Sequence, residues 1–371
     1  MDIGGRLRAA RETLGYTQQE LADQVDLGRD AIVSIETGDR RVKVEELIRI
    51  ARVLERPLTF FLRETPPGEL TVVARRGQVA TREARRAELW LERRLEDYTF
   101  VLEALGERPT MQVGLQWPTD WCTDEAAWEA ARAQRRLLGL GDRAIQDFRA
   151  FLERKVGVLV FGKPVRDPDF LGLLGVRDRP AAAAMLVKST PPAARCNFTM
   201  ALLYGHLVWK LANHDYSTEV AYRSADDERP GARFVYAFVE EFLCPTRHAQ
   251  EIREGAPERL DYVVRREPAR KHGMWLDFVA YARANHAFAR TEGGSQRHSN
   301  VGHVPLQARD LRPFPEASEN YWSAVLRAYR KGVLEAGRCA EMLEMTALEF
   351  DDMVGELQGE TASGEPPRAP S

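Results

Sequence analysis

A chain of 371 residues with 44% hydrophobic and 29% charged side chains has enough apolar material for a sizeable core, and its length suggests two or three domains. A formal net charge of −3 and a pI near 6.2 exclude a uniformly basic nucleic-acid coat but leave room for a local basic face. No apolar run approaches the ~18 to 20 residues of a membrane span, and the opening M-D-I-G-G-R-L-R lacks the apolar stretch of a secretion signal. A cytoplasmic protein without a membrane partner is therefore expected. Cys122, Cys196, Cys244 and Cys339 are far apart and form no C-x-x-C pair, a pattern that suits reduced structural thiols.

Along the chain, Ile3, Leu7, Ala10 and Leu14 recur at helical spacing, and Gly15 ends that helix. Thr17 opens the next, with Glu20 placed to close a capping box and Leu21, Ala22 and Val25 facing inward. Leu27-Gly28 is the turn. Ile32 and Ile35 mark the buried side of a third helix stopped by Gly38. Val44, Leu47, Ile48, Ala51 and Leu54 make a fourth, and Pro57 opens a short fifth ending at Phe61-Leu62.

This series, with T-Q-Q-E-L-A-D-Q-V-D-L-G-R-D-A-I-V-S-I-E-T-G running through it without a gap, resembles the Cro/CI-like (Xre-type) helix-turn-helix. In such a unit the short turn fixes the angle between two helices, and the third helix shows small or polar side chains to the major groove of double-stranded DNA. Arg29, Asp30, Ala31 and Ser34, on its outward side, are the expected base-edge contacts. The resemblance implies that Gln18, opening the second helix, touches phosphate with help from that helix's dipole. Arg40, Arg41 and Lys43, in the loop after the third helix, suit the same role, the alternative being a solvated basic loop. Glu36 reads as internal support, because phosphate repels a carboxylate. Residues 1–64 carry eleven Lys/Arg against twelve Asp/Glu, so nonspecific DNA affinity should be modest. A homodimer reading two half-sites would compensate.

Thr65-Pro66-Pro67-Gly68 marks a boundary. From Arg75 to Tyr98 the chain is rich in Arg and Glu, with Ala84, Ala87, Leu91 and Leu95 at helical spacing, which predicts a connecting helix. A Pro/Trp-rich stretch from Gln116 to Trp121 precedes another near Glu125 to Leu138. Val156 to Phe161 and Ala181 to Val187 read as buried strands. Phe198 to Leu211 and Phe234 to Leu243 read as helices, the latter with Phe234, Val235, Phe238 and Phe242 inward. Thr291 to Asn300 reads as a mobile loop. Helical patterns resume at Tyr321 and stop near Leu357, with a Thr346/Glu349 capping box and a helix-turn-helix-like spacing. This segment is expected to pack on the body or a partner subunit, and residues 358–371 read as a disordered tail.

The helix at Phe198 reads F-T-M-A-L-L-Y-G-H-L-V-W-K-L. With L-L-G-L-G-D-R-A-I-Q-D, V-G-V-L-V-F and R-F-V-Y-A-F-V-E-E-F-L-C-P around it, this part of the chain resembles metallopeptidases of the ImmA/IrrE type, over roughly Arg135 to Pro245. That family carries F-T-x-A-H-E-x-G-H-L, where two His hold Zn²⁺ and the Glu activates water. Here Leu202 stands at the first His, Leu203 at the Glu and His206 at the second His. The third ligand falls at or near Phe234, where no carboxylate stands. Leucine neither ligates a cation nor takes a proton, so the resemblance implies a degenerate domain that is not an enzyme and holds no metal or cofactor. His206 alone reads as a buried or hydrogen-bonded core histidine, and His214, His298 and His303 have no metal-binding motif behind them.

The expected fold is mainly α with a small mixed β-sheet (α+β). A five-helix helix-turn-helix domain (1–65) leads through a helical connector (66–134) to a zincin-like degenerate peptidase domain (135–320) and a C-terminal helical segment (321–357). The expected function is transcriptional regulation, as a repressor, with the peptidase-like domain serving dimerisation or the sensing of a small-molecule or protein effector. The alternatives are an active metallopeptidase acting on a repressor and an antitoxin-like protein-binding regulator.

Overall fold

In the computed structural model the described residues are 3–56, 58–62, 70–75, 81–114, 123–141, 145, 147–178, 180–191, 193–213, 219–220, 230–243 and 316–363. Five helices come first: α1 (Ile3–Thr13), α2 (Gln18–Val25), α3 (Arg29–Thr37), α4 (Val44–Val53) and α5 (Leu58–Leu62). Leu7, Leu14, Leu21, Ile32, Ile50 and Phe61 close them around one core. The capping box at α2 forms as the sequence predicts, with the Thr17 hydroxyl accepting from the Glu20 N–H at 3.1 Å and the Glu20 carboxylate accepting from the Thr17 N–H at 2.8 Å. Between α2 and α3 the left-handed position is Asp26, φ 53°, rather than the Leu27-Gly28 pair. Asp tolerates that conformation, and Gly28 instead caps the start of α3 with φ −72°.

Beyond this bundle lies a mixed sheet of β1 (Leu70–Arg75), β2 (Leu159–Lys163), β3 (Gly172–Arg177), β4 (Ala182–Lys188) and the short β5 (Glu219–Val220), in the order β2-β4-β3-β1-β5. β2 runs parallel to β4 and β5 to β1, while β3 is antiparallel to both its neighbours. Side chains alternate strictly between two cores. Val160, Leu174, Val176, Met185 and Val187 pack on one face against α7 (Asp124–Leu137), α9 (Ala193–Asn213) and α10 (Pro230–Leu243). Phe161, Leu173, Ala184 and Leu186 pack on the other against α6 (Arg82–Ala104), α11 (Glu319–Arg330) and α12 (Ala336–Met342). The sheet is thus covered on both faces, so its strands read in sequence as continuous apolar runs without a polar beat.

The mainly helical architecture with a small mixed sheet agrees with expectation, and three details correct it. The stretch read as a purely helical connector contains β1, which is hydrogen-bonded to β3 along its whole length. The helix read from Arg75 starts at Arg82, where the Thr81 hydroxyl accepts from the Ala84 N–H. Val156 closes a π-turn (Leu152–Val156) following α8 (Phe148–Phe151), so β2 begins at Leu159 rather than at Val156. Besides these, α13 (Ala347–Ser363) carries the chain as a helix into the segment read as a tail.

The C-terminal helices pack on the body as expected. The Arg94 guanidinium of α6, almost wholly buried, donates to the Tyr321 hydroxyl at 3.1 Å and pairs with Glu344 at 2.5 Å. Tyr329 and Phe350 meet edge to face at 5.1 Å. The Thr346/Glu349 capping box is present. Among the described residues no helix is long and apolar enough to cross a membrane. Cys196 and Cys339 are buried free thiols, while Cys122, Cys244, His214, His298, His303 and the Thr65–Gly68 boundary fall outside the described residues.

Candidate nucleic-acid interface

The geometry of the N-terminal bundle is set from Glu36, near the end of α3. Its carboxylate accepts from Arg11 Nε at 2.6 Å and Nη2 at 3.1 Å, and from Gln18 Nε2 at 2.9 Å. Arg11 Nη1 also donates to the Tyr16 carbonyl at 2.7 Å. Arg11 and Glu36 are both buried, so this forked pair, with Gln18 on the same carboxylate and Tyr16 on the same guanidinium, joins α1, the loop after it and α2 to α3. Glu36 is therefore the internal support its sign implied. No local signal marks Arg11 as its partner, twenty-five positions away.

That scaffold leaves one side of α3 in water. Arg29 and Asp30 are exposed on its first turn, with Ala31 and Ser34 half-buried beside them. The Ser34 hydroxyl turns back to donate to the Asp30 carbonyl at 2.8 Å. In the loop after Gly38, Arg41 and Lys43 are exposed. Arg40 is half-buried and pairs with Glu46 at 2.6 Å, while Glu46 also accepts from the Lys43 N–H at 3.0 Å to cap α4. Burial pushes the Glu46 carboxyl up, but the Lys43 N–H and Arg40 outweigh it and hold it below the usual carboxylate range. Val44, 73% exposed, adds an apolar side chain at the start of α4. Of the eight residues singled out in the sequence, Arg29, Asp30, Arg41 and Lys43 stand free on this face, Ala31 and Ser34 lie half-buried within it, and Gln18 and Arg40 are engaged with carboxylates of their own bundle.

Residues 7–61 match the helix-turn-helix family model. Over 64 residues the chain is also 31% identical to an uncharacterized HTH-type transcriptional regulator of Sinorhizobium medicae (strain WSM419) and, equally, to one of Rhizobium meliloti (strain 1021). Each alignment covers 17% of this chain and 46% of the relative, so the chain spans about half the length of the curated relatives it matches. The helix-turn-helix likeness thus concerns the N-terminal bundle, in the same stretch that the side-chain network organises.

The positions of the peptidase-like motif lie elsewhere. Leu202, Leu203 and Phe234 belong to the core under the sheet, with Leu203 fully enclosed and His206 buried in the same helix. A Cβ added at Gly172 of β3 would come within 2.8 Å of Thr199 Cγ2 and 3.3 Å of Leu203 Cδ1, so α9 rests directly on the strand at this point. Trp209 and Phe234 meet at a tilt, 5.0 Å between ring centres, across α9 and α10, followed by Phe238 and Phe242 stacked at 5.4 Å. Leu202, Leu203 and Phe234 are thus core-packing side chains.

Sequence reading also missed a set of arginines on α6. Arg82 donates to the Gly15 carbonyl and to Glu20, each at 3.2 Å, and its guanidinium lies 4.3 Å from the centre of the Tyr16 ring. Arg86 pairs with Glu55 at 3.0 Å and donates to the Tyr16 hydroxyl at 3.3 Å. Arg56 of the bundle pairs with Glu92 at 2.6 Å. Their sign alone was legible, since the docking they produce depends on which bundle groups come within reach.

Proposed function

We propose that the protein is a sequence-specific, double-stranded-DNA-binding transcriptional regulator whose N-terminal bundle reads the operator through α3. One observation carries this reading: a helix-turn-helix held rigid by the Arg11–Glu36–Gln18 cluster presents an exposed face bearing Arg29, Arg41 and Lys43. Arg29, with Asp30, Ala31 and Ser34, is placed to meet base edges, because a recognition helix enters the major groove by its N-terminal residues. Arg41 and Lys43, in the loop that follows, suit the phosphates. Gln18 and Arg40 serve there as supports, one through Glu36 and the other through Glu46, and the free N–H groups of the first turn of α2 take up the phosphate role assigned to Gln18.

The remainder of the chain serves as a body that orients this reader, dimerises it as a repressor and couples it to an effector. Its peptidase-like part acts without hydrolysis, a reading supported by two leucines at a ligand and a base position, both packed in the core. The near balance of charge in residues 1–64 favours a dimer, since two half-sites add their binding free energies.

Salt titration of duplex binding tests the assignment. Arg41→Ala should weaken binding to all sequences and reduce the salt slope by about 1, whereas Arg29→Ala should cost about 1 to 3 kcal/mol on the preferred sequence only. Equal behaviour of both variants on preferred and scrambled duplexes would contradict these roles.

A further inference from the structure

We propose that the DNA-contacting face extends beyond the helix-turn-helix onto α6, where Arg82 and Arg85 contact backbone phosphates beside the N-terminus of α2. The inference rests on the reading of the N-terminal bundle as a DNA-binding module and adds to it two contacts from the body of the protein.

Both guanidiniums converge on the segment Gly15–Glu20 that opens α2. Arg82 is anchored there by the Gly15 carbonyl, by Glu20 and by the face of Tyr16, with its side chain 43% exposed. Arg85 Nη1 lies 2.7 Å from where a Cβ on Gly15 would stand. Gly15 has φ +69°, so that close approach and the backbone turn both depend on its missing side chain. A helix-turn-helix sets the first helix of its pair across the DNA backbone, with its N-terminal N–H groups toward phosphate. Two arginines fixed beside those N–H groups face the same strand.

Charge supports the same reading. The bundle carries eleven basic residues against twelve acidic ones, and Arg11 and Arg40 are committed to internal carboxylates. Residues 82–86 of α6 supply Arg82, Arg85 and Arg86 against Glu83. Glu83 is turned to the body, where it accepts from the Arg166 N–H at 2.8 Å, and Arg86 is held by Glu55. Among the described residues Arg85 makes no ion pair, and the Arg82–Glu20 pair is a half-exposed surface contact that gives way readily to a phosphate. The start of α6 is itself fixed, since the Thr81 hydroxyl donates to Asp167 at 2.7 Å, so the arginines are held in place before DNA arrives.

The test uses the full chain and a fluorescently labelled duplex of random sequence, with binding measured between about 50 and 200 mM NaCl. Arg85→Gln breaks no ion pair and should leave the circular dichroism spectrum unchanged while reducing the slope of log K against log[salt] by about 0.9. Arg82→Gln combined with Arg85→Gln should reduce it by about 1.8, and the two Lys replacements should keep the slope. Unchanged slopes in both Gln variants, alongside a reduced slope in Arg41→Ala, would overturn the proposal and leave the DNA-binding module standing. Restoration of the wild-type slope by adding Glu20→Gln to the double variant would also overturn it, showing that Arg82 only masks that carboxylate. No duplex binding by the unaltered chain would remove the proposal together with the reading beneath it.

Discussion

Leu89 and Leu91 stand two positions apart on α6 yet pack into different cores. Leu89 joins Leu7, Leu21 and Ile50 in the N-terminal bundle, while Leu91 joins Phe161 and Leu186 on the sheet. A helix of 23 residues therefore has one stripe in each unit, with Arg56–Glu92 and Arg86–Glu55 flanking the seam. The bundle is docked on the body rather than tethered by a spacer. Leu89→Ala should cost about 2 to 5 kcal/mol, as a buried Leu-to-Ala change does. Calorimetry should show the bundle of the variant melting ahead of the body. A variant that melts as one unit at the wild-type temperature would show that the seam contributes nothing.

The core leucines of α9 lead to a second expectation. Leu203 is packed against Gly172 in the core that also holds Tyr204 and Phe238, with its side chain closed to solvent. Leu203→Ala should lower stability by about 2 to 5 kcal/mol in urea denaturation. Leu203→Glu should prevent soluble folding, because burying a carboxylate in this apolar core costs far more than the leucine it replaces. A soluble Leu203→Glu protein with wild-type melting and altered DNA affinity would instead mark a cleft open to a ligand.

Glu153, on the π-turn, provides a pH-dependent expectation. Its carboxylate accepts from the Ser318 hydroxyl and from the N–H groups of Val160 and Glu319, each of these two at 3.3 Å, and so ties α11 to the sheet. Burial raises its pKa above the usual range, against the pull of Arg149 and these hydrogen bonds. A carboxyl whose folded pKa is raised contributes stability that is full below the unfolded value and is lost as pH rises through the folded one. Glu153→Gln removes that titration. The stability of wild type relative to this variant should therefore fall as pH rises above the unfolded carboxyl's value of about 4. Urea midpoints showing a constant gap across that range would refute the assignment.

Where local chemistry decides structure, the sequence was a sufficient guide. The Thr17/Glu20 and Thr346/Glu349 capping boxes, the Gly15 and Gly38 stops and the Ala84–Leu95 stripe all lie within a few residues of what they control. Strands β1 and β3 were not legible, because L-T-V-V-A-R and G-L-L-G-V-R are short, buried on both faces or rich in glycine, and so lack alternation. At the interface the exposed arginine and lysine could be read from their spacing after the turn. The commitments of Gln18 to Glu36 and of Arg40 to Glu46, and the arrival of Arg82 and Arg85 from α6, are tertiary facts with no local signal.

The charge on α13 separates it from α3. Glu349, Asp351, Asp352 and Glu356 are all exposed on it, beside Leu348 at 71%. A helix so placed is repelled by phosphate, although α12 and α13 repeat the helix–turn–helix spacing and Glu344 turns the chain with φ 57°. Asp351→Asn with Asp352→Asn should leave the salt slope of DNA binding as it is. A slope change in this pair would assign the C-terminal helices to the DNA as well.

The central claim is that α3 reads sequence. Selection of bound duplexes from a random pool by the full chain tests it most directly, run in parallel with Arg29→Ala. The wild type should enrich a defined motif, and Arg29→Ala should still bind the pool but lose about 1 to 3 kcal/mol of discrimination at a single position. No enriched motif, or the same motif at the same strength from Arg29→Ala, would contradict it.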